Sequence, residues 1–257
     1  MSPLNKECFM PTFKITYEFE FERGRKFVYP LIMDRETTSL ISGWKRPPPG
    51  WTRLEYDQCK GCPLEQEEVS HCPIAANIAE LIEDFKEIES TEHARITVHT
   101  IERTYTKEAP AQKGLSSIFG IIMATSNCPV MNFLKPMARY HLPFSTSEET
   151  IIRSISMYLL GQYFIAKRKG QPDLRLKNLE RAYAMVQNVN RGICRRITSV
   201  IQASGAQGDA ASNAVVILDA FSHLLQAEIE GHLDSLSDLF GGNPPLLPFP
   251  IGGRGEE

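Results

Sequence analysis

The chain has 257 residues, 42% of them hydrophobic and 23% charged, and its 28 Lys and Arg against 31 Asp and Glu leave a formal charge of −3. These are ordinary globular proportions, which exclude a wholly disordered, collagenous or strongly nucleic-acid-coating chain. No apolar run approaches the roughly 18 residues of a membrane helix, and the first residues lack a basic-then-apolar leader, so a cytoplasmic protein without a membrane partner is expected.

Phe13, Ile15, Tyr17, Phe19 and Phe21 alternate with Lys14, Thr16, Glu18, Glu20 and Glu22. That period of two predicts a strand with one solvated face. Gly24 supplies a turn, and residues 26–33 read as the second strand of a hairpin. Pro30 makes that strand short, bulged or an edge. Residues 37–58 are irregular. Pro47-Pro48-Pro49-Gly50, between Trp44 and Trp51, reads as a stiff connection whose tryptophans return to the core. A proline-rich recognition segment is the alternative.

Cys72-Pro73 opens the first helix, because proline suits the first helical position. Ile74, Ile78, Leu81, Ile82, Phe85 and Ile88 carry it at helical spacing. Residues 95–105 are rich in β-branched side chains and read as a third strand. Beyond about residue 112 the chain is helical. A short apolar helix covers 113–125, and another candidate covers 129–139, broken by Pro136. Thr146 and Glu149 form a capping box that opens a helix running to Lys169 and stopped by Gly170.

Leu179, Tyr183, Val186, Asn190, Ile193, Ile197 and Val200 step by four and three, a heptad-like seam in a helix over 174–203. Gly205 to Gly208 break it. Asp209 caps the last long helix, whose stripe runs from Leu218 and Phe221 through Leu225 and Ile229 to Leu233, Leu236 and Phe240. The predicted fold is α+β: a small antiparallel sheet at the N-terminus packed on a mainly helical C-terminal part with three long antiparallel helices. Residues 1–110 hold the sheet, a cysteine knuckle and a helix. Residues 111–240 form the helical part, continuous with the first in one domain, and 241–257, rich in Gly and Pro, read as a disordered tail.

Six cysteines are present, and three of them, Cys59, Cys62 and Cys72, lie within fourteen residues. In a reducing compartment such a cluster reads as metal ligands. Cys59-x-x-Cys62 lets two sulfurs reach one ion from a tight turn, with Gly61 free to go left-handed. Cys62, Cys72 and Cys128 each precede a proline, which turns the cysteine toward the cap of a following helix. A cap thiolate faces free amides, so its pKa is expected to fall. Cys128 is the first choice as fourth ligand, ahead of His71 and His141. Zinc is the expected cofactor and an iron–sulfur cluster the alternative.

Arg139 and His141, packed between prolines in residues 136–144, are a second candidate, for an anion or a proton. Gln162, Asn190 and Asn213 are polar on apolar faces and are candidates for a pocket between helices. Arg191, Arg195 and Arg196 read as a solvated face, and no nucleic-acid partner is expected. Phosphate loops, dinucleotide fingerprints, nucleophile elbows and His-Glu-x-x-His are absent. The resulting expectation is a metal-binding interaction or sensor protein with structural zinc and a protein partner. The alternatives are an iron–sulfur redox protein or enzyme with Arg139 and His141 near the cluster, and a small-ligand-binding helical bundle.

The order Cys59-x-x-Cys62-Pro63-Leu64, then Cys72-Pro73, then Ser126-Asn127-Cys128-Pro129, then residues 136–144 (PMARYHLPF) resembles a bacterial family carried as a domain of unknown function. The resemblance covers residues 12–230. It implies a bacterial, cytosolic protein and brings no activity, ligand or catalytic residue.

Overall fold

The structure, a computed structural model, describes residues 11–41, 47–231 and 233–237. Cys8, Trp44, Phe240 and the tail from Gly241 lie outside the described residues. Strands β1 (Thr12–Phe21) and β2 (Lys26–Asp34) form the expected hairpin. The alternation holds, since Phe13, Ile15, Tyr17, Phe19 and Phe21 are all buried. Pro30 pairs with Thr16 in an unbroken register. β2 is an edge strand, where a missing amide donor is tolerated.

The single strand expected over 95–105 is instead a second hairpin. β3 (His93–His99) and β4 (Thr104–Pro110) pair antiparallel and complete a sheet of order β2-β1-β3-β4. No glycine or proline marks its turn. Thr100 closes it, its hydroxyl accepting from the Arg103 amide at 3.0 Å and its own amide donating to the Arg103 carbonyl at 2.8 Å.

Helix α1 (Pro73–Phe85) stops before Ile88, although Ile88 is buried. The carbonyls of Lys86 and Ile88 are taken by the amides of Gly208 and Ala210, at 2.9 and 3.1 Å, so the helix cannot use them. α1 and α2 (Ala111–Thr125) lie against the sheet. At the centre the Phe85 ring meets Phe19, Phe21, Phe27 and Tyr29, with centroids 5.1 to 6.2 Å apart.

Pro136 starts a helix rather than breaking one. It sits in the first turn of α3 (Lys135–Arg139), behind a 3-10 turn at Asn132–Leu134. α4 (Ser147–Lys167) has the expected capping box. The Glu149 amide donates to Thr146 Oγ1 at 3.1 Å, and the Thr146 amide donates to Glu149 Oε2 at 2.7 Å. α5 (Lys177–Ser204) ends at Gly205 and buries Leu179, Tyr183, Val186, Asn190, Ile193 and Ile197. α6 (Ala210–Glu230) follows, then a short α7 (Asp234–Ser237), so the expected stripe is cut after Ile229.

Asp209 stands at the cap position of α6 but does not cap it. Its carboxylate accepts the Ser90 amide at 2.6 Å and the Ser90 hydroxyl at 3.2 Å, tying the α5–α6 connection to the turn after α1. α6 packs chiefly on α5 and α2, and α4 touches it only lightly. The fold is therefore α+β, an N-terminal antiparallel sheet followed by a mainly helical part. No helix among the described residues is long and apolar enough to cross a membrane.

Candidate functional site

Three separate segments bring cysteines to one place. The first is the irregular stretch 50–72, held by α5. Arg196 of α5 is 1% exposed. Its Nε donates to the Asp57 carbonyl at 3.0 Å. Nη1 donates to the carbonyls of Trp51 and Arg53, at 2.7 and 2.8 Å, and Nη2 to that of Leu54 at 3.0 Å. Arg195 adds a two-pronged bond to the Asp57 carboxylate, at 2.9 and 2.8 Å, and holds it below the usual carboxylate range. The expectation of a solvated basic face therefore fails at Arg196. That side chain is buried beside Ile193 and Ile197 and donates to four carbonyls of the irregular loop, of which that of Arg53 also accepts the Tyr56 amide at 3.3 Å.

The clasped loop delivers the knuckle. The Cys62 amide donates to the Cys59 carbonyl at 3.0 Å, and Gly61 takes the left-handed φ of +75° that this turn requires. The Cys59 sulfur rests against α5, 4.0 Å from the Val189 carbonyl. A Cβ on Gly192 would lie 2.5 Å from that sulfur, so only glycine permits the approach. The second segment is the start of α1. Cys72 is its cap residue, and the amides of Ile74 and Ala75 favour its thiolate. The third is the turn after α2, where the amides of Val130 and Met131 do the same for Cys128. Neither Cys62-Pro63 nor Cys128-Pro129 leads directly into a helix. Coil follows the first and a turn the second.

Cys59, Cys62, Cys72 and Cys128 line one cavity of about 20 Å³, closed on the α5 side by Met185 and Val189. The sulfurs border it without converging. Among the described residues no three Cys, His, Asp or Glu side chains stand in ligating geometry as they are. All five described cysteines are free thiols. The pKa values of Cys59, Cys72 and Cys128 are raised, against the sequence expectation. Burial, reinforced by Cys72, Cys62 and Cys128, pushes Cys59 up to about 12. Burial also pushes Cys128 up to about 11 and raises Cys72, outweighing the amides that face them. Desolvation of the thiolate is the larger effect here, so the helix-cap contribution only moderates it.

The rival fourth ligands are elsewhere. His71 Nδ1 is bonded to Thr52 Oγ1 at 2.7 Å. His141 Nε2 is bonded to the Tyr17 hydroxyl at 2.6 Å, which also bonds Ser117 Oγ at 2.8 Å. Burial, with the Arg153 charge, pushes His141 down to about 3. Arg139 stacks its guanidinium over the Phe13 ring at 4.1 Å, and its Nη1 is buried without a partner among the described residues. Neither Arg139 nor His141 lines the cysteine cavity.

The three amides read as a shared pocket are dispersed. Gln162 accepts the Asp173 amide at 2.8 Å and pins the α4–α5 link. Asn213 donates to Asp209 at 2.8 Å. Asn190 is buried in the α5 seam, with both amide atoms unpartnered among the described residues.

Residues 15–241 match the family model "Domain of unknown function (DUF6901)". The chain belongs to this family. No curated protein and no solved structure matches it. All four cavity cysteines fall inside the DUF6901 match, as do Gly192 and Arg196. The sequence pattern leaves Gly192 unmarked and reads Arg196 as part of a solvated face. Their signal was position: Gly192 beside the buried Ile193, and a lone cation on the apolar side of a seam.

Proposed function

We propose that Cys59, Cys62, Cys72 and Cys128 hold one zinc ion, and that this ion is structural. The observation that carries the reading is the meeting of four thiols around one cavity, three from residues 59–72 and the fourth, Cys128, from 56 residues further on. A four-thiolate donor set is the closed tetrahedral set typical of structural zinc. An iron–sulfur cluster on the same four thiols is the alternative, and the metal analysis below separates the two.

The chemistry of the thiols supports the same reading. With raised pKa values Cys59, Cys72 and Cys128 are poor nucleophiles at neutral pH. A divalent cation displaces the protons that burial otherwise retains. Four thiolates around zinc carry a net charge of −2. The buried Arg196 guanidinium, whose field lowers the pKa of Cys59 and Cys72, opposes that charge. A reducing compartment such as the cytoplasm keeps four thiols available for metal. The task we infer is protein interaction, with the ion fixing the loop at 50–72 on the helical part.

Metal analysis of the purified protein tests this. One zinc per chain, a colourless solution, and loss of that zinc on Cys59→Ser and Cys128→Ser alike are expected. Full zinc content in Cys128→Ser, a brown protein that bleaches on reduction, or no metal at all would overturn it.

A further inference from the structure

α4 carries apolar side chains on two opposite faces. Ile151, Ser154, Ile155 and Gln162 are buried. On the other side Leu160, Tyr163 and Phe164 are 52%, 59% and 47% exposed. Single exposed apolar residues are normal, but a contiguous stripe on one helix marks a contact surface. At 3.6 residues per turn, Glu149, Arg153, Ser156, Leu160, Tyr163 and Lys167 fall on one line along this outer face. Their spacing alternates four and three, the spacing two helices bury together.

The line is self-complementary when reversed, with Tyr158 as its midpoint. Laid antiparallel on itself, it sets Glu149 against Lys167 and the small Ser156 against the large Leu160, while Arg153 stays bonded to the Met137 and Tyr140 carbonyls of its own chain. A parallel pairing would set Glu149 on Glu149 and Lys167 on Lys167. The acidic first turn and basic last turn of α4 favour the antiparallel order again through the helix dipoles. We propose that a second copy of this chain covers the outer face of α4, with the two α4 helices antiparallel across a two-fold axis. Such an interface is isologous and closes as a dimer.

Sedimentation of the full chain over a wide range of concentration tests this. A reversible dimer is expected, and Leu160→Glu weakens it at least about tenfold while the circular dichroism spectrum stays native. Glu149→Lys and Lys167→Glu each place like charges in register, so each alone is expected to be monomeric. Mixed in equal amounts they restore opposite charges at both ends and form a heterodimer. That rescue separates the interface from any loss of the capping box in the Glu149 variant. A monomer at every concentration, a dimer indifferent to Leu160→Glu, or a mixture that stays monomeric would overturn the proposal. So would a monomer that binds vesicles of anionic phospholipid through this face, which would assign the stripe to a membrane surface.

Discussion

Two buried polar clusters lie along α2. One meets it midway, where Tyr17, Ser117 and His141 bond one another at 2.6 and 2.8 Å. The other lies just past its C-terminus, where Cys128 joins Cys59, Cys62 and Cys72 around a cavity. The first is complete as neutral groups, since its hydrogen bonds are made within the protein and its histidine is held uncharged. The second gathers four weak hydrogen-bonders, and burial opposes the deprotonation of Cys59, Cys72 and Cys128. Protein groups suffice for the first, whereas the second is the one we propose a cation completes. A substitution in one cluster should therefore leave the other's behaviour untouched, and the predictions exploit that separation.

The largest effect is expected from Arg196→Met. It removes a buried guanidinium and leaves the carbonyls of Trp51, Arg53, Leu54 and Asp57 without their donor. Chemical denaturation should show a loss of about 3 kcal/mol or more, together with weakened metal retention. A loss below about 1 kcal/mol would mean that the clasp is not what orders the loop. Gly192→Ala comes next. Its new methyl would collide with the Cys59 sulfur, and overpacking of this kind costs about 1–3 kcal/mol. If the proposed ion adds to the turn and the α5 contact in fixing Cys59, the cost should be greater with zinc than with chelator. Equal costs would separate Gly192 from the metal.

Tyr17→Phe should cost about 1–2 kcal/mol by orphaning His141 and Ser117, without changing metal content. The same cluster has a pH signature. The His141 pKa is depressed to about 3 in the folded chain against about 6.5 unfolded. The unfolded state therefore gains the proton first. The stability due to neutral His141 is present above about pH 6.5 and is lost as pH falls toward 3, by at most about 1.4 kcal/mol per pH unit. Stability measured against pH should fall less steeply over that window in His141→Gln, and identical slopes would contradict the assignment. The smallest effect is expected from Cys194→Ser. Cys194 is half-buried, bonds Thr198 and does not line the cavity. Its change should lie within about 0.5 kcal/mol with zinc unchanged, and zinc loss there would redraw the site.

Much of this architecture is visible in short-range sequence pattern. The alternation from Phe13 to Phe21, the Thr146–Glu149 box and the seam from Leu179 to Ile197 each depend on neighbours a few residues apart. The knuckle is legible for the same reason. What escaped depends on distant partners. Residues 95–105 read as one strand because Thr100 closes the turn with its own hydroxyl, where glycine or proline would have announced it. Asp209 carries a cap residue's identity, but Ser90, across the fold, claims its carboxylate. Arg196 looks like any surface cation until the carbonyls of a loop about 140 residues earlier surround it. The direction of the cysteine pKa shifts was missed similarly, because the depth of burial is set by α5 and is not written beside the cysteines.

That separation along the chain also has a temporal side. Asp57 and Arg196 are 139 residues apart, so a ribosome working at roughly 5–20 residues per second takes on the order of ten seconds between making the loop and making its clasp. Cys59, Cys62, Cys72 and Cys128 all emerge before the helix that covers them. The ion would thus meet its four ligands before α5 packs against them. Refolding with zinc present should load the protein faster than adding zinc to metal-free protein already folded.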